Sequence, residues 1–255
     1  MRSIWNGTIS FGLVSIPIKL YSAVQESSLD LDMLDSRDSS NIHFMRVNAK
    51  TKEEVPYDKI VKGYKLNDEY VVLDEHDFEE ASPEKSKTID IENFVKVADI
   101  NPMLFETSYY AEATKQGQKA YILLLEALKK SKMAGLGQFV LRQREHLCVI
   151  YEQNSVITIS RIRFAHEIRD SSEINIDHET SLSKKEMDVA MALIKQYSTD
   201  FDIEQYKDTY TDDLLKIIKA KAKGKRPTIK KLTPQKPKSD DLYEQLMESL
   251  NKKGA

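Results

Sequence analysis

The chain opens with RSIWNGTISFGLVSIPIKLYSA, residues 2–23, and the parity of its apolar residues decides how the fold begins. Ile9, Phe11 and Leu13 fall on odd positions, whereas Ile16, Ile18 and Leu20 fall on even ones. Successive side chains of a strand point to opposite faces, so one unbroken strand cannot bury both sets in the same core. The chain must bend or bulge between Gly12 and Ser15, where glycine supplies the backbone freedom. Pro17 has no N–H, which puts the second half at a sheet edge or a barrel rim. The expectation is two short strands turning a corner of a curved sheet or barrel.

The 255 residues hold one large domain, or one domain with an appendage. No stretch approaches the roughly 18 apolar residues of a membrane span. The first residues carry no signal-peptide pattern, so neither a membrane partner nor secretion is expected. Cys148 is the one cysteine, which fits a reducing cytoplasm. Its neighbours Leu147, Val149 and Ile150 mark it as an inert core thiol.

The net charge is −3, but the distribution matters more than the sum. Residues 68–92 carry ten acids against two lysines, and residues 219–238 carry nine basic residues and no acid. Segregation of this kind presents one surface to a polyanion and keeps another away from it.

Outward from the opening segment, short strand-like runs recur between Ile42 and Val95: IHFMRV, YVVL and TIDIENFV. Polar turns separate them, which favours a mostly antiparallel, β-rich body. Residues 114–130 read as a helix with a cationic C-terminal end suited to the helix dipole. Ser183 and Glu186 form a capping-box pattern at the start of a helix running to Tyr197. A further helix is expected from Thr211 to Lys223, stopped at Gly224. Residues 223–238, proline-rich and basic, read as a tether, and 239–250 as a short amphipathic helix.

The stretch FVLRQREHLCVIYEQNSVITISRIRFA, residues 139–165, reads as a long hairpin turning near Gln153–Asn154. With that two-residue turn, Arg144 faces Arg163 and His146 faces Arg161. Arg142, Arg144, Arg161 and Arg163 then share one face. Like charges across a ladder are destabilising, so an anion is expected there, and phosphate suits the guanidinium fork. Lys129, Lys130 and Lys132 lie just upstream and would extend the stripe. The competing reading is a solvated hairpin whose arginines are paired by acids from elsewhere. Lys219, Lys221, Lys223, Lys225, Arg226, Lys230 and Lys231 form a second basic element, of the kind that attaches to nucleic acid through counterion release. Neither element is interleaved with aromatics, which favours a duplex backbone over stacked single strands.

Catalytic patterns are absent from the sequence: there is no phosphate loop, GxGxxG or HExxH, and no paired cysteines. The five histidines are scattered singly. Asp30, Asp32 and Asp35 are the one acidic set that offers a divalent-metal site, in a segment that also reads as a solvated loop.

The opening segment resembles the N-terminal signature of the bacterial Ku proteins. The resemblance continues through GYKLNDEYVVLDEHDFE (63–79), TIDIENFVKVADINPMLFETSYYAEA (88–113), KAYILLLEALKK (119–130), GLGQFVLRQREHLCVI (135–150) and FDIEQYKDTYTDDLLKIIKAK (201–221). It implies an α+β, mostly β fold: an antiparallel β-barrel core with an arching bridge insertion, C-terminal helices and a basic tail. It places a core at 1–221, with the bridge roughly at 110–165, and a basic extension at 222–255. It also implies a task. A homodimeric ring threads onto double-stranded DNA ends without sequence preference in non-homologous end joining and recruits a DNA ligase of the ligase D type. No enzymatic activity and no cofactor are implied, and the location is the cytoplasm at the nucleoid. Some relatives carry cysteines around the region matching 43–60; this chain has none there, so no zinc is expected. Two alternatives are kept open: a magnesium-dependent nuclease using Asp30, Asp32 and Asp35, and a non-specific nucleic-acid coat driven by the basic tail.

Overall fold

A computed structural model describes residues 1–25, 29–81, 87–141, 144–225 and 241–252. The chain forms two compact units, one from residues 1–27 and 31–170, the other from 28–30 and 171–255.

Among the described residues, the first unit holds nine strands. They are β1 (Trp5–Phe11), β2 (Val14–Ser22), β3 (Lys62–Leu66), β4 (Glu69–Leu73), β5 (Thr88–Lys96), β6 (Phe105–Ala113), β7 (Met133–Leu141), β8 (Arg144–Gln153) and β9 (Val156–Ile162). Seven close into a barrel in the order β1-β2-β6-β9-β8-β7-β5. All pairings are antiparallel except the closing one, where β1 runs parallel to β5. An odd number of strands cannot close with every neighbour antiparallel, so one parallel seam is required.

The opening segment is a hairpin rather than a corner. Gly12, at φ +58, makes the turn with Leu13, and Ile9 pairs with Ile16. The fold-back puts odd residues of β1 and even residues of β2 on the same interior face. Ile9, Ile16, Ile18 and Leu20 are fully buried there, and Leu13, at the tip, is fully exposed. The β2–β6 ladder begins at Ile18↔Ala113, so Pro17 sits at its rim, where Thr114 N–H donates to the Pro17 carbonyl. Gly137 permits the close crossing of β5 over β7: a Cβ there would lie 2.3 Å from the Asp90 carbonyl oxygen.

Two helices belong to this unit, α1 (Glu75–Glu80) and α2 (Gln118–Ser131). The second buries Tyr121, Leu124, Leu125 and Leu128 in the interior cluster. Its Tyr121 hydroxyl donates to the Ala111 carbonyl (2.7 Å) and accepts from the Ile157 N–H (2.9 Å). Ala111 and Ile157 are register partners, so the hydroxyl is spliced into the last rung of the β6–β9 ladder. Helix α2 therefore stoppers one end of the barrel.

The arch expected at 110–165 is not found there. Those residues supply β6 through β9, because each strand turns alternate apolar residues inward, as in Tyr109, Ala111, Phe139, Cys148, Ile150, Ile157 and Ile159. The segment that leaves the barrel wall is 23–87, between β2 and β5. It holds the two-stranded sheet β3-β4, helix α1 and two isolated bridges, Leu34↔Asn41 and Val47↔Glu54. YVVL and TIDIENFV form strands β4 and β5, but IHFMRV contributes one bridge only.

The second unit contains α3 (Lys184–Tyr197), α4 (Thr209–Lys221) and α5 (Leu242–Lys252). Helix α3 starts on the expected capping box of Ser183 and Glu186. Asp208 caps α4 through Thr211 N–H, two residues earlier than the expected start, and Gly224 (φ +68) follows its end. Helix α5 packs on α3, and Gln196 Nε2 donates to the Leu250 carbonyl at 3.3 Å. This packing joins the terminal helix to α3, so the boundary between compact units falls at 170/171 and not at the 221/222 junction where the basic run begins.

Candidate nucleic-acid interface

The β8–β9 hairpin turns at Asn154–Ser155, both with positive φ (52° and 63°). This is the two-residue geometry whose twist matches flanking strands, and asparagine tolerates it well. Ser155 N–H also donates to Glu152 Oε1 at 2.7 Å. The turn lies one residue later than the sequence reading placed it. Gln153 therefore faces Val156, and Arg161 faces Cys148 instead of His146. A slide of the turn by one residue moves the cross-strand partners by two positions, so Arg144, His146 and Arg161 keep a common face.

That face is the barrel interior. Arg161 is two residues beyond Ile159 and Arg144 four before Cys148, on the inward parity. They emerge at the open end, opposite the end closed by α2. There a cavity of about 520 Å³ is lined by Ile4, Thr107, Leu141, Arg144, His146 and Arg161, among others. Arg142, the fourth arginine of the set, lies outside the described residues.

Glu106 reconciles the like charges. Its carboxylate meets Arg161 Nη2 at 2.8 Å and Arg163 Nη2 at 3.7 Å. Arg163 Nη1 also donates to the Met103 and Phe105 carbonyls, each at 2.9 Å, so Arg163 anchors the start of β6. Arg144 is exposed and has no ion pair among the described residues. Burial pushes the His146 imidazole below the usual histidine range, and the neighbouring Arg161 and Arg144 charges add to that effect. Sequence reasoning missed Glu106 because FETSYYAEA was not read as a strand. Its inward alternation of Thr107, Tyr109, Ala111 and Ala113 was the available signal, and a register shift between Phe105 and Ser108 precedes it.

Lys129 and Lys130 lie in the last turn of α2, and Lys132 follows in the left-handed conformation (φ 55). All three precede β7, whose far end pairs with Arg144. Nine strand residues at about 3.3 Å each separate the two groups by roughly 30 Å. The lysines and arginines thus sit at opposite ends of the barrel and do not form one stripe. In the second unit Lys219, Lys221, Lys223 and Lys225 are exposed at and after the end of α4. Arg226, Lys230 and Lys231 lie outside the described residues. Of the acidic set, Asp35 is held by Arg37, whose guanidinium and N–H keep its carboxyl below the usual range. No group of three potential metal ligands is assembled among the described residues.

A closed barrel stoppered by one helix, with a long insertion between its second and third wall strands and cations at its open mouth, is a β-barrel binding scaffold. The chain belongs to the Ku family: residues 10–189 match the family described as the Ku70/Ku80 beta-barrel domain. It is 33% identical over 260 residues to the non-homologous end joining protein Ku of Coxiella burnetii, covering 99% of this chain and 95% of that protein. It is 38% identical over 263 residues to the protein of the same name from Opitutus terrae, covering 100% and 93%. With that of Cupriavidus necator it shares 39% identity over 226 residues, covering 86% and 67%. Among the described residues no helix is long and apolar enough to cross a membrane.

Proposed function

We propose that this chain binds double-stranded DNA ends, without sequence preference, as a ring-shaped homodimer acting in non-homologous end joining. In this reading it is a scaffold without catalysis that recruits and stimulates a DNA ligase of the ligase D type, in the cytoplasm at the nucleoid. The named function of its relatives supports the process, and the 23–87 segment supports the assembly.

That segment is the observation that carries the reading. Phe44, Tyr57, Tyr64 and Val71 are all exposed on it, Phe44 at 80%, and Tyr64 and Val71 are cross-strand partners on one face of the β3-β4 sheet. An exposed apolar face of this kind marks an interaction site. A second copy supplies an identical surface, and symmetric self-association is the commonest way to cover one. The arch of the ring is thus assigned to 23–87, replacing 110–165. Its acidic residues, including Glu69, Asp74, Glu75 and Asp77, belong on surfaces turned away from phosphates. The DNA contacts of this reading are Arg144 with Arg142, Lys129, Lys130 and Lys132, and the basic run from Lys219 to Lys231; Arg161 and Arg163, held by Glu106, contribute field more than direct contact.

The test compares binding to one plasmid sequence, linear and covalently closed, at physiological salt. A ring needs an end, so strong binding to the linear form and little to the circle is the expected result. Equal binding to both would refute threading and transfer the activity to side-on contact by the basic run.

A further inference from the structure

We infer that the open mouth of the barrel is a pocket for one phosphate monoester, built from Arg144, His146 and Arg161 around the Thr107 hydroxyl. This goes beyond duplex binding, because the pocket is concave and faces the barrel interior. Side chains fill a barrel of about eight strands, which leaves no room for a duplex whose major groove alone is about 12 Å wide. A single phosphate on a small organic group is of the right size for about 520 Å³.

Three features select an anion. First, Arg161 occupies an interior position directly across from Cys148, which is fully buried. Its side chain is only 25% exposed, and its Nε is buried with no hydrogen-bond partner. A buried donor left unmade is costly, and a phosphate oxygen would satisfy it. Second, the charges do not balance: Glu106 is shared between Arg161 and Arg163, which leaves Arg144 unpaired among the described residues. Arginine binds phosphate through a planar fork, and Arg144 and Arg161 both line this cavity. Third, His146 lies between the two arginines on the same face, where its burial and then their charges push its imidazole below the usual histidine range. The groups facing it are Arg161, Glu106, Arg144 and the Leu141 backbone. A dianion in the pocket reverses their effect and favours the imidazolium. Ile4, Tyr109 and Leu141 supply the apolar wall against which the organic part of the ester lies.

The ester has two sources, a phosphorylated DNA terminus or a soluble phosphorylated metabolite. Titration calorimetry of the full chain uses inorganic phosphate, thymidine 5′-monophosphate and thymidine. A second arm compares DNA hairpins ending in 5′-phosphate and 5′-hydroxyl. The expected result at pH 7.5 is binding of both phosphate-bearing small molecules and none of thymidine. Arg144→Ala, an exposed change that spares the fold, weakens binding about tenfold, the value of one charge-assisted hydrogen bond. Glu106→Gln tightens it severalfold. A preference for the 5′-phosphate hairpin that is lost in Arg144→Ala assigns the DNA source, while monophosphate binding alone assigns the metabolite. The inference is overturned if thymidine binds as well as its monophosphate, or if Arg144→Ala and Glu106→Gln both leave phosphate binding unchanged. Neither result bears on loading onto linear DNA, so the two readings fail separately.

Discussion

Replacing Tyr121 by phenylalanine removes one oxygen and tests how the barrel is closed. The ring is buried, so Phe keeps its packing against Leu124, Ala111 and their neighbours. What is lost is the hydroxyl that donates to Ala111 O at 2.7 Å and accepts from Ile157 N at 2.9 Å. Both backbone groups are enclosed, and each left unsatisfied costs about 1–3 kcal/mol. The Ala111–Ile157 rung held apart by the hydroxyl cannot close to a direct bond while the ring remains between the strands. The expected loss is therefore about 2–4 kcal/mol. For a chain of this size that lowers the melting temperature by roughly 5–15 °C. Denaturant titration at fixed protein concentration reads the energy, since the proposed self-association makes stability concentration-dependent. Amide hydrogen exchange locates it: Ile157 N–H should exchange far faster while Ile159 N–H, deeper in the same strand, stays protected. A loss below about 0.5 kcal/mol, or unchanged exchange at Ile157, would show that the hydroxyl is not part of the ladder.

Three further outcomes are expected. His146 has a folded pKa below its unfolded value, so the unfolded chain binds the extra proton first and stability falls as pH drops through the unfolded pKa near 6.5; His146→Asn should flatten the stability–pH curve between about pH 6.5 and 5, and an unchanged curve would refute the assignment. Burial pushes the Cys148 thiol up to about 12, so a thiol reagent at pH 8 should label the chain only after unfolding, and rapid native labelling would contradict the packing. Paired charges on one face of the β3-β4 sheet, Tyr64→Asp with Val71→Asp, should shift the sedimenting species to monomer mass without lowering the melting temperature of the barrel, and a persistent dimer would move the self-association surface elsewhere.

Much of this fold was legible where a local rule had no competitor. The parity break at Gly12 announced two strands, and the Ser183–Glu186 capping box announced α3. Where the reading failed, the missing information was tertiary. The parity break is satisfied equally by a corner and a hairpin, and only the pairing of Ile9 with Ile16 distinguishes them. The basic hairpin was found, with Arg144, His146 and Arg161 on one face, but not what that face looks onto. That depends on β6, a strand about 50 residues away, whose Glu106 answers Arg161 and Arg163. The arch was placed at residues 110–165 on family resemblance and not on a local signal. The segment that leaves the wall is instead marked by exposed apolar residues such as Phe44 and Tyr70, a pattern that local sequence does not separate from a buried strand.

The strand order has a consequence for synthesis. The β1-β2 hairpin is made first, yet its two neighbours, β5 and β6, begin at Thr88 and Phe105, and the wall is complete only when β9 ends at Ile162. At about 5–20 residues per second the ribosome needs roughly 7–28 s to deliver that span, whereas a hairpin forms in microseconds. The nascent chain therefore carries open strand edges, and the exposed apolar segment between β2 and β5, for many seconds before its last strand arrives. Unpaired edges invite wrong partners. In a polysome, where identical chains emerge side by side, the nearest wrong partner is the same hairpin on the neighbouring ribosome.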